Sequence, residues 1–179
     1  MNLWSSSGSM LAYLGLGSNL GHRVEALLRA MILLEENAGS IRRISRIYET
    51  APLYVEEQPS FLNIVLELET SLAPKELLHA AKRIESQLGR KTRARFHERE
   101  IDIDMVAMTD SSGNIITYHD EELTLPHPLA SERRFVLEPL AELAPHLQIT
   151  DCMTVAKALE QVAVQSQDVR IFSSVEKAT

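Results

Sequence analysis

Phe61 to Glu69 alternates strictly: Leu62, Ile64, Leu66 and Leu68 fall on one side, and Phe61, Asn63, Val65, Glu67 and Glu69 on the other. A period of two over this length reads as a strand with one face in a core, with Phe61 and Asn63 sharing the opposite face. This strand lies between two amphipathic stretches that each run into a glycine. Val24, Leu27, Leu28, Met31 and Leu34 recur at helical spacing from about Leu20 to Asn37, with Ser18 or Asn19 as the cap and Gly39 beyond the end. Leu77, Leu78, Ala81, Ile84 and Leu88 repeat the pattern between Pro74 and Gly89.

Three further segments complete a pattern. Met10 to Leu16 is a short apolar run, Ile41 to Thr50 a weaker strand, and Ile101, Ile103 and Met105 alternate with Asp102 and Asp104. The order βαββαβ predicts an α+β fold, a ferredoxin-like core with an antiparallel sheet and both helices on one face. The other face is left for a site or for added elements. Ile115 to Tyr118 reads as a short return strand, Ser131 to Leu143 as a helix broken at Pro139, and Val155 to Val164 as a C-terminal helix. Residues 1–9 are expected to be a disordered leader, with Met10 as an alternative start, and 10–179 a single domain.

The 179 residues carry a formal charge of −7, which argues against a partner that is a nucleic acid. The charge is uneven, however: the stretch from Lys82 to Arg99 is net +5 and the remainder −12. A short basic segment on an acidic chain suits a small anion. No apolar run reaches the ~18 residues that cross a bilayer, and the single Cys152 fits a reducing compartment, so a cytoplasmic protein without membrane contact is expected.

The paired acids Asp102 and Asp104 share a strand face roughly 7 Å apart at the backbone. They can bridge a pair of magnesium ions, which are commonly held by one or two carboxylates plus substrate phosphates; they can equally be acids of a half-exposed strand that face water. The basic loop just before them favours a polyphosphate and its metals. The glycines of Gly15-Leu-Gly17-Ser-Asn-Leu-Gly21 match neither a dinucleotide fingerprint nor a Walker loop and read as a tight strand-to-helix connection. The histidines have no zinc spacing, and neither the serines nor Cys152 sit in a nucleophile elbow.

Tyr13-Leu-Gly-Leu-Gly-Ser-Asn19, Tyr48-Glu-Thr50-Ala-Pro52, Gln58-Pro-Ser-Phe61-Leu-Asn63, Arg83-Ile-Glu85 with Gly89-Arg90, Arg99-x-Ile-Asp102-Ile-Asp104 and Pro126-His127-Pro128 with Arg133-x-Phe135 stand in one order. Together, from about Ala12 to Pro145, they resemble the 6-hydroxymethyl-7,8-dihydropterin pyrophosphokinase family. The resemblance implies a folate-pathway transferase that moves the terminal pyrophosphate of ATP, its co-substrate, onto the hydroxymethyl group of a reduced pterin and releases AMP.

It also implies a site. Asp102 and Asp104 would hold two Mg2+ ions, and Arg90, Arg93, Arg95, Arg99, His127 and Arg133 would hold ATP, with Arg90, Arg95 and Arg99 acting on the transferring group. The pterin would lie between Phe61 and Phe135, its polar edge read by Asn63 and by groups at Thr50, Pro52 and Leu53. Where the family usually has Arg-Trp-Gly-Pro-Arg, this chain has Arg95-Phe96-His97-Glu98-Arg99. The loop from Arg90 to Arg99 is expected to be mobile until ATP and magnesium order it.

Three other readings compete with this one. A pterin- or nucleotide-binding homologue with weak or altered transferase activity is favoured only by Phe96-His97-Glu98. A ferredoxin-like RNA-binding module would call for a basic sheet face. A structural role beside the next folate-pathway enzyme would require pairing between chains.

Overall fold

A computed structural model describes residues 8–52, 58–90, 98–162 and 168–173. The chain runs β1 (Met10–Ser18), α1 (Arg23–Asn37), β2 (Ser40–Ile44), β3 (Tyr48–Thr50), β4 (Phe61–Thr70), α2 (Pro74–Gln87) and β5 (Asp102–Thr109). After these come β6 (Tyr118–His119), β7 (Thr124–Leu125), α3 (Arg134–Leu143), β8 (Gln148–Thr150), β9 (Met153–Thr154), α4 (Val155–Gln161) and β10 (Val169–Ile171). The main sheet is ordered β10-β3-β4-β1-β5, with β2 also paired to β4, and every pairing in it is antiparallel. With β2 and β3 taken as one interrupted strand, this is the ferredoxin-like arrangement expected from the order of elements.

Each face of the sheet has its own core. Ala12, Leu14 and Leu16 of β1 and Leu62, Ile64, Leu66 and Leu68 of β4 meet Leu27, Ala30 and Leu34 of α1 and Leu77, Ala81 and Ile84 of α2. On the opposite face, Tyr13, Val65 and Val106 meet Val136, Leu137 and Leu140 of α3 and Val155 and Ala158 of α4. The C-terminal elements therefore cover the second face at one end and leave it open at the other. Pro139 lies inside α3 without ending it; the apolar stripe of α3 buried on the sheet outweighs the lost hydrogen bond.

Several elements differ from the sequence reading. The strand expected over 41–50 is interrupted at Ser45, whose hydroxyl accepts the Val65 N–H at 2.9 Å and replaces a rung of the ladder. Ile115 makes only an isolated bridge to Thr109, while Tyr118 pairs with Leu125 instead of returning along β5. Helix α1 begins at Arg23, after His22, and no side chain caps it; Ser18 and Asn19 are engaged elsewhere. Strand β10, which periodicity did not reveal, extends the sheet past β3 and is held by Arg170 on Glu49 at 2.8 Å.

Asp120 ties the β6–β7 turn to the start of α2. Its carboxylate accepts from Lys75 Nζ at 2.8 Å, from the N–H groups of Glu122 and Leu123, and from the Tyr118 hydroxyl. The lysine first, and then these donors, hold it well below the usual carboxylate range. A depressed folded value stabilises above the unfolded value of ~3.9 and ceases to do so as pH falls through the folded one. Asp120→Asn should therefore lower the thermal midpoint at pH 7, and the gap to wild type should close progressively below about pH 4. An equal gap at pH 7 and pH 2.5 would show that the carboxylate charge plays no part.

Candidate active site

The open end of the second sheet face is a cleft lined by Gly15, Gly17, Thr50, Phe61, Asn63, Arg99, Asp102, Asp104, His127, Arg133 and Phe135, among others. Its floor is made by register. Gly17 stands opposite Asp102 on one side and Asn63 on the other, and Gly15 opposite Asp104 and Val65. A Cβ at Gly17 would come within 3.0 Å of Asn63 Oδ1, so glycine keeps the space between the two walls clear. Both glycines lie within β1, which corrects their reading as part of the turn to α1.

One wall is acidic and basic together. Asp102 and Asp104 share the cleft face of β5, where the pleat places them. In this state the two oxygens of Asp102 are taken by Arg90, at 2.9 Å, and by Arg99. Asp104 has no hydrogen bond or ion pair among the described residues, and burial, then Asp102, push its carboxyl up to about 6. Behind them Glu85 of α2, 5% exposed, accepts the Ile103 N–H at 2.7 Å and pairs with Arg90. Burial pushes Glu85 up to about 7. From sequence Glu85 was one acid within a basic stretch; its contact with β5, which fixes the strand between the two aspartates, becomes visible only in three dimensions.

His127 closes the cleft from the segment after β7. Its backbone N–H donates to Val106 O at 2.8 Å, and its Nδ1 accepts the Leu129 N–H at 3.1 Å. Burial and the neighbouring Arg133 lower its pKa, so the ring is neutral with its hydrogen on Nε2. Arg133 sits 5.7 Å from the Phe135 ring centre, and its buried Nε has no partner among the described residues. An orphaned guanidinium nitrogen facing a cleft is a position for an anion.

The other wall is aromatic and amide. Phe61 starts β4, and Asn63, 7% exposed, donates Nδ2 to Thr50 Oγ1 at 2.8 Å. Phe135 stands at the start of α3.

The structure thus gathers Thr50, Phe61, Asn63, Arg99, Asp102, Asp104, His127, Arg133 and Phe135 around one cleft, with Arg90 bound to its acidic wall. Pro52 is not among the lining residues; Ala51 is. Leu53, Arg93 and Arg95, and most of the loop expected to close over ATP, lie outside the described residues. The two carboxylates that share the cleft face of β5 are donors of the hard-oxygen kind that magnesium takes, and an ion held there would draw its other ligands from phosphate oxygens and water.

Two carboxylates on one strand face, several guanidinium groups and an aromatic-amide wall thus share one cleft, the kind of lining that a nucleotide-dependent transferase would need. Residues 13–145 match the family model described as 7,8-dihydro-6-hydroxymethylpterin-pyrophosphokinase (HPPK). The chain belongs to this family, whose members act in folate synthesis.

Among its relatives, the 2-amino-4-hydroxy-6-hydroxymethyldihydropteridine pyrophosphokinase of Bacillus subtilis is 39% identical over 163 residues, covering 90% of each chain. The folic acid synthesis protein fol1 of Schizosaccharomyces pombe is 36% identical over 97% of this chain, which spans only 23% of that longer protein. In fold, the chain is similar to an HPPK-DHPS structure solved in complex with substrates, with a TM-score of 0.66 and 14% identity. That match covers 86% of this chain and 43% of the other.

Proposed function

We propose that this chain transfers the terminal pyrophosphate of ATP to the hydroxymethyl oxygen of 6-hydroxymethyl-7,8-dihydropterin, giving AMP and the pterin pyrophosphate, at the cleft between β4 and β5. The carrying observation is that the two aspartates and the aromatic-amide wall face each other across a glycine floor. Magnesium held by Asp102 and Asp104 would neutralise triphosphate charge and orient the bond to be broken. Phosphoryl-type transfers depend on alignment and charge neutralisation more than on covalent help.

On this reading Arg99 and Arg90, which pair with Asp102 here, would turn to phosphate oxygens, and Asp102 with Asp104 would be the residues that hold magnesium. Arg133 offers its Nε to the nucleotide, and His127 donates from Nε2. Arg93 and Arg95 belong to the same phosphate-binding set by their place in the family pattern. On the far wall Phe61 and Phe135 enclose the pterin while Asn63, Thr50 and backbone near Pro52 and Leu53 meet its polar edge. Asn63, held by Thr50, presents its amide in one orientation, which favours a heterocycle with matching donors and acceptors. Residues 10–179 act as one pyrophosphokinase unit. A cytoplasmic setting is supported by the lone Cys152, and among the described residues no helix is long and apolar enough to cross a membrane. The HPPK-DHPS chains support the next enzyme of folate synthesis as a partner.

The test of the reaction is incubation with ATP, Mg2+ and the pterin, with nucleotides separated. AMP that forms only with pterin present is expected; ADP together with a pterin monophosphate would contradict the transfer. The test of the pterin wall is Phe61→Ala, which should weaken pterin binding ~10-fold or more, from lost stacking and area, and leave ATP binding within ~3-fold. Equal losses for both ligands in calorimetry would place Phe61 in the core.

A further inference from the structure

Strand β1 is central, paired to β4 on one side and β5 on the other, and both ladders stop at its end: Ser18 is opposite Leu62, and Gly17 opposite Asp102. The segments that carry Phe61 into β4 and Asp102 into β5 are thus beyond the last rungs. Asn19, the residue after β1, is 1% exposed and spans both gaps. Its N–H donates to Arg99 O at 3.2 Å, and its Oδ1 accepts the Arg99 N–H at 2.8 Å. Its Nδ2 donates to Gln58 Oε1 at 3.1 Å and to Pro59 O at 3.2 Å. Beside it, Ser18 Oγ donates to Glu100 O at 2.7 Å. Asn19 does not line the cleft and caps no helix.

We propose that Asn19 is a positioning residue that sets the spacing between the two walls of the cleft by clamping Gln58-Pro59, just before Phe61, to Arg99, just before Asp102. The inference rests on the pyrophosphokinase reading, in which one wall holds the acceptor and the other the triphosphate. In-line transfer requires the acceptor oxygen and the phosphorus to meet at a fixed distance, and a slip of ~1 Å costs ~100-fold in rate. Each substrate is bound chiefly by its own wall. Loss of the clamp therefore lowers turnover and leaves each separate affinity nearly unchanged, which distinguishes it from a residue that supports only one wall or only the fold.

The experiment compares wild type with Asn19→Ala and Asn19→Asp by steady-state kinetics, by calorimetry with the pterin alone and with a non-hydrolysable magnesium-ATP analogue alone, and by amide exchange. Asn19→Ala should lower kcat ~10- to 100-fold with both binding constants within ~3-fold, and should speed exchange at the Arg99 amide. Asn19→Asp keeps the acceptor for Arg99 and loses both donors to Gln58 and Pro59, so kcat should still fall while Arg99 exchange stays slow. Unchanged kcat in either folded variant, or a loss confined to the affinity for one substrate, would overturn the proposal. If Asn19→Ala does not fold, the Asp variant decides. Absence of pterin-dependent AMP from the wild type would instead refute the activity, and the exchange at Arg99 would still test the clamp.

Discussion

Asp104→Asn should fold at least as well as wild type and turn over ~1,000-fold more slowly or worse, even at saturating magnesium. The carboxyl lies deep in the cleft without a partner among the described residues, and burial raises its pKa to about 6. For an acid raised above its unfolded value, the stabilising contribution is complete below about pH 4 and is lost as pH rises through about 6. At pH 7 the ionised group therefore burdens the fold, and asparagine removes that burden. Any gain in thermal midpoint should be visible at pH 7 and should fade at pH 5.

Asp102→Asn should behave differently, because it strips Arg90 and Arg99 of their shared carboxylate; both stability and turnover should drop. Asp104→Asn with wild-type turnover would remove the metal from this wall.

Arg133→Ala should lower kcat/KM ~100- to 1,000-fold, the scale seen when a fixed donor to developing charge is deleted. The fold should hardly register the change, since the buried Nε satisfies nothing among the described residues and the contact with Phe135 contributes only ~0.5–1 kcal/mol. Arg133→Lys should not restore activity. An ammonium lacks the planar fork and cannot place a donor where Nε now lies. A lysine variant with wild-type kcat/KM would reduce Arg133 to a nonspecific positive charge.

What could be read from sequence was whatever periodicity or composition encodes. The alternation from Phe61 to Glu69 placed Leu62 and Phe61 on opposite faces, and the structure keeps them there. The Asp102/Asp104 pair shared a face for the same reason. Long-range polar contacts leave no such trace. Asn19 has the residue type of a helix cap and sits where one belongs, yet its side chain is spent on residues 39 to 80 positions away. Glu85 looks like one acid on a charged helix, and its burial against Ile103 follows only once α2 is packed beside the edge strand β5. Strand β10 was missed because three residues carry too little pattern; its place depends on an edge that β3 offers.

Transfer of pyrophosphate requires that the bond broken lie between the α and β phosphorus atoms of ATP. The most direct measurement follows ATP labelled at the β phosphorus through one turnover with the pterin and magnesium. The label should leave with the pterin, and the AMP released should be unlabelled. Label retained in ADP, with a singly phosphorylated pterin beside it, would contradict the transfer of pyrophosphate.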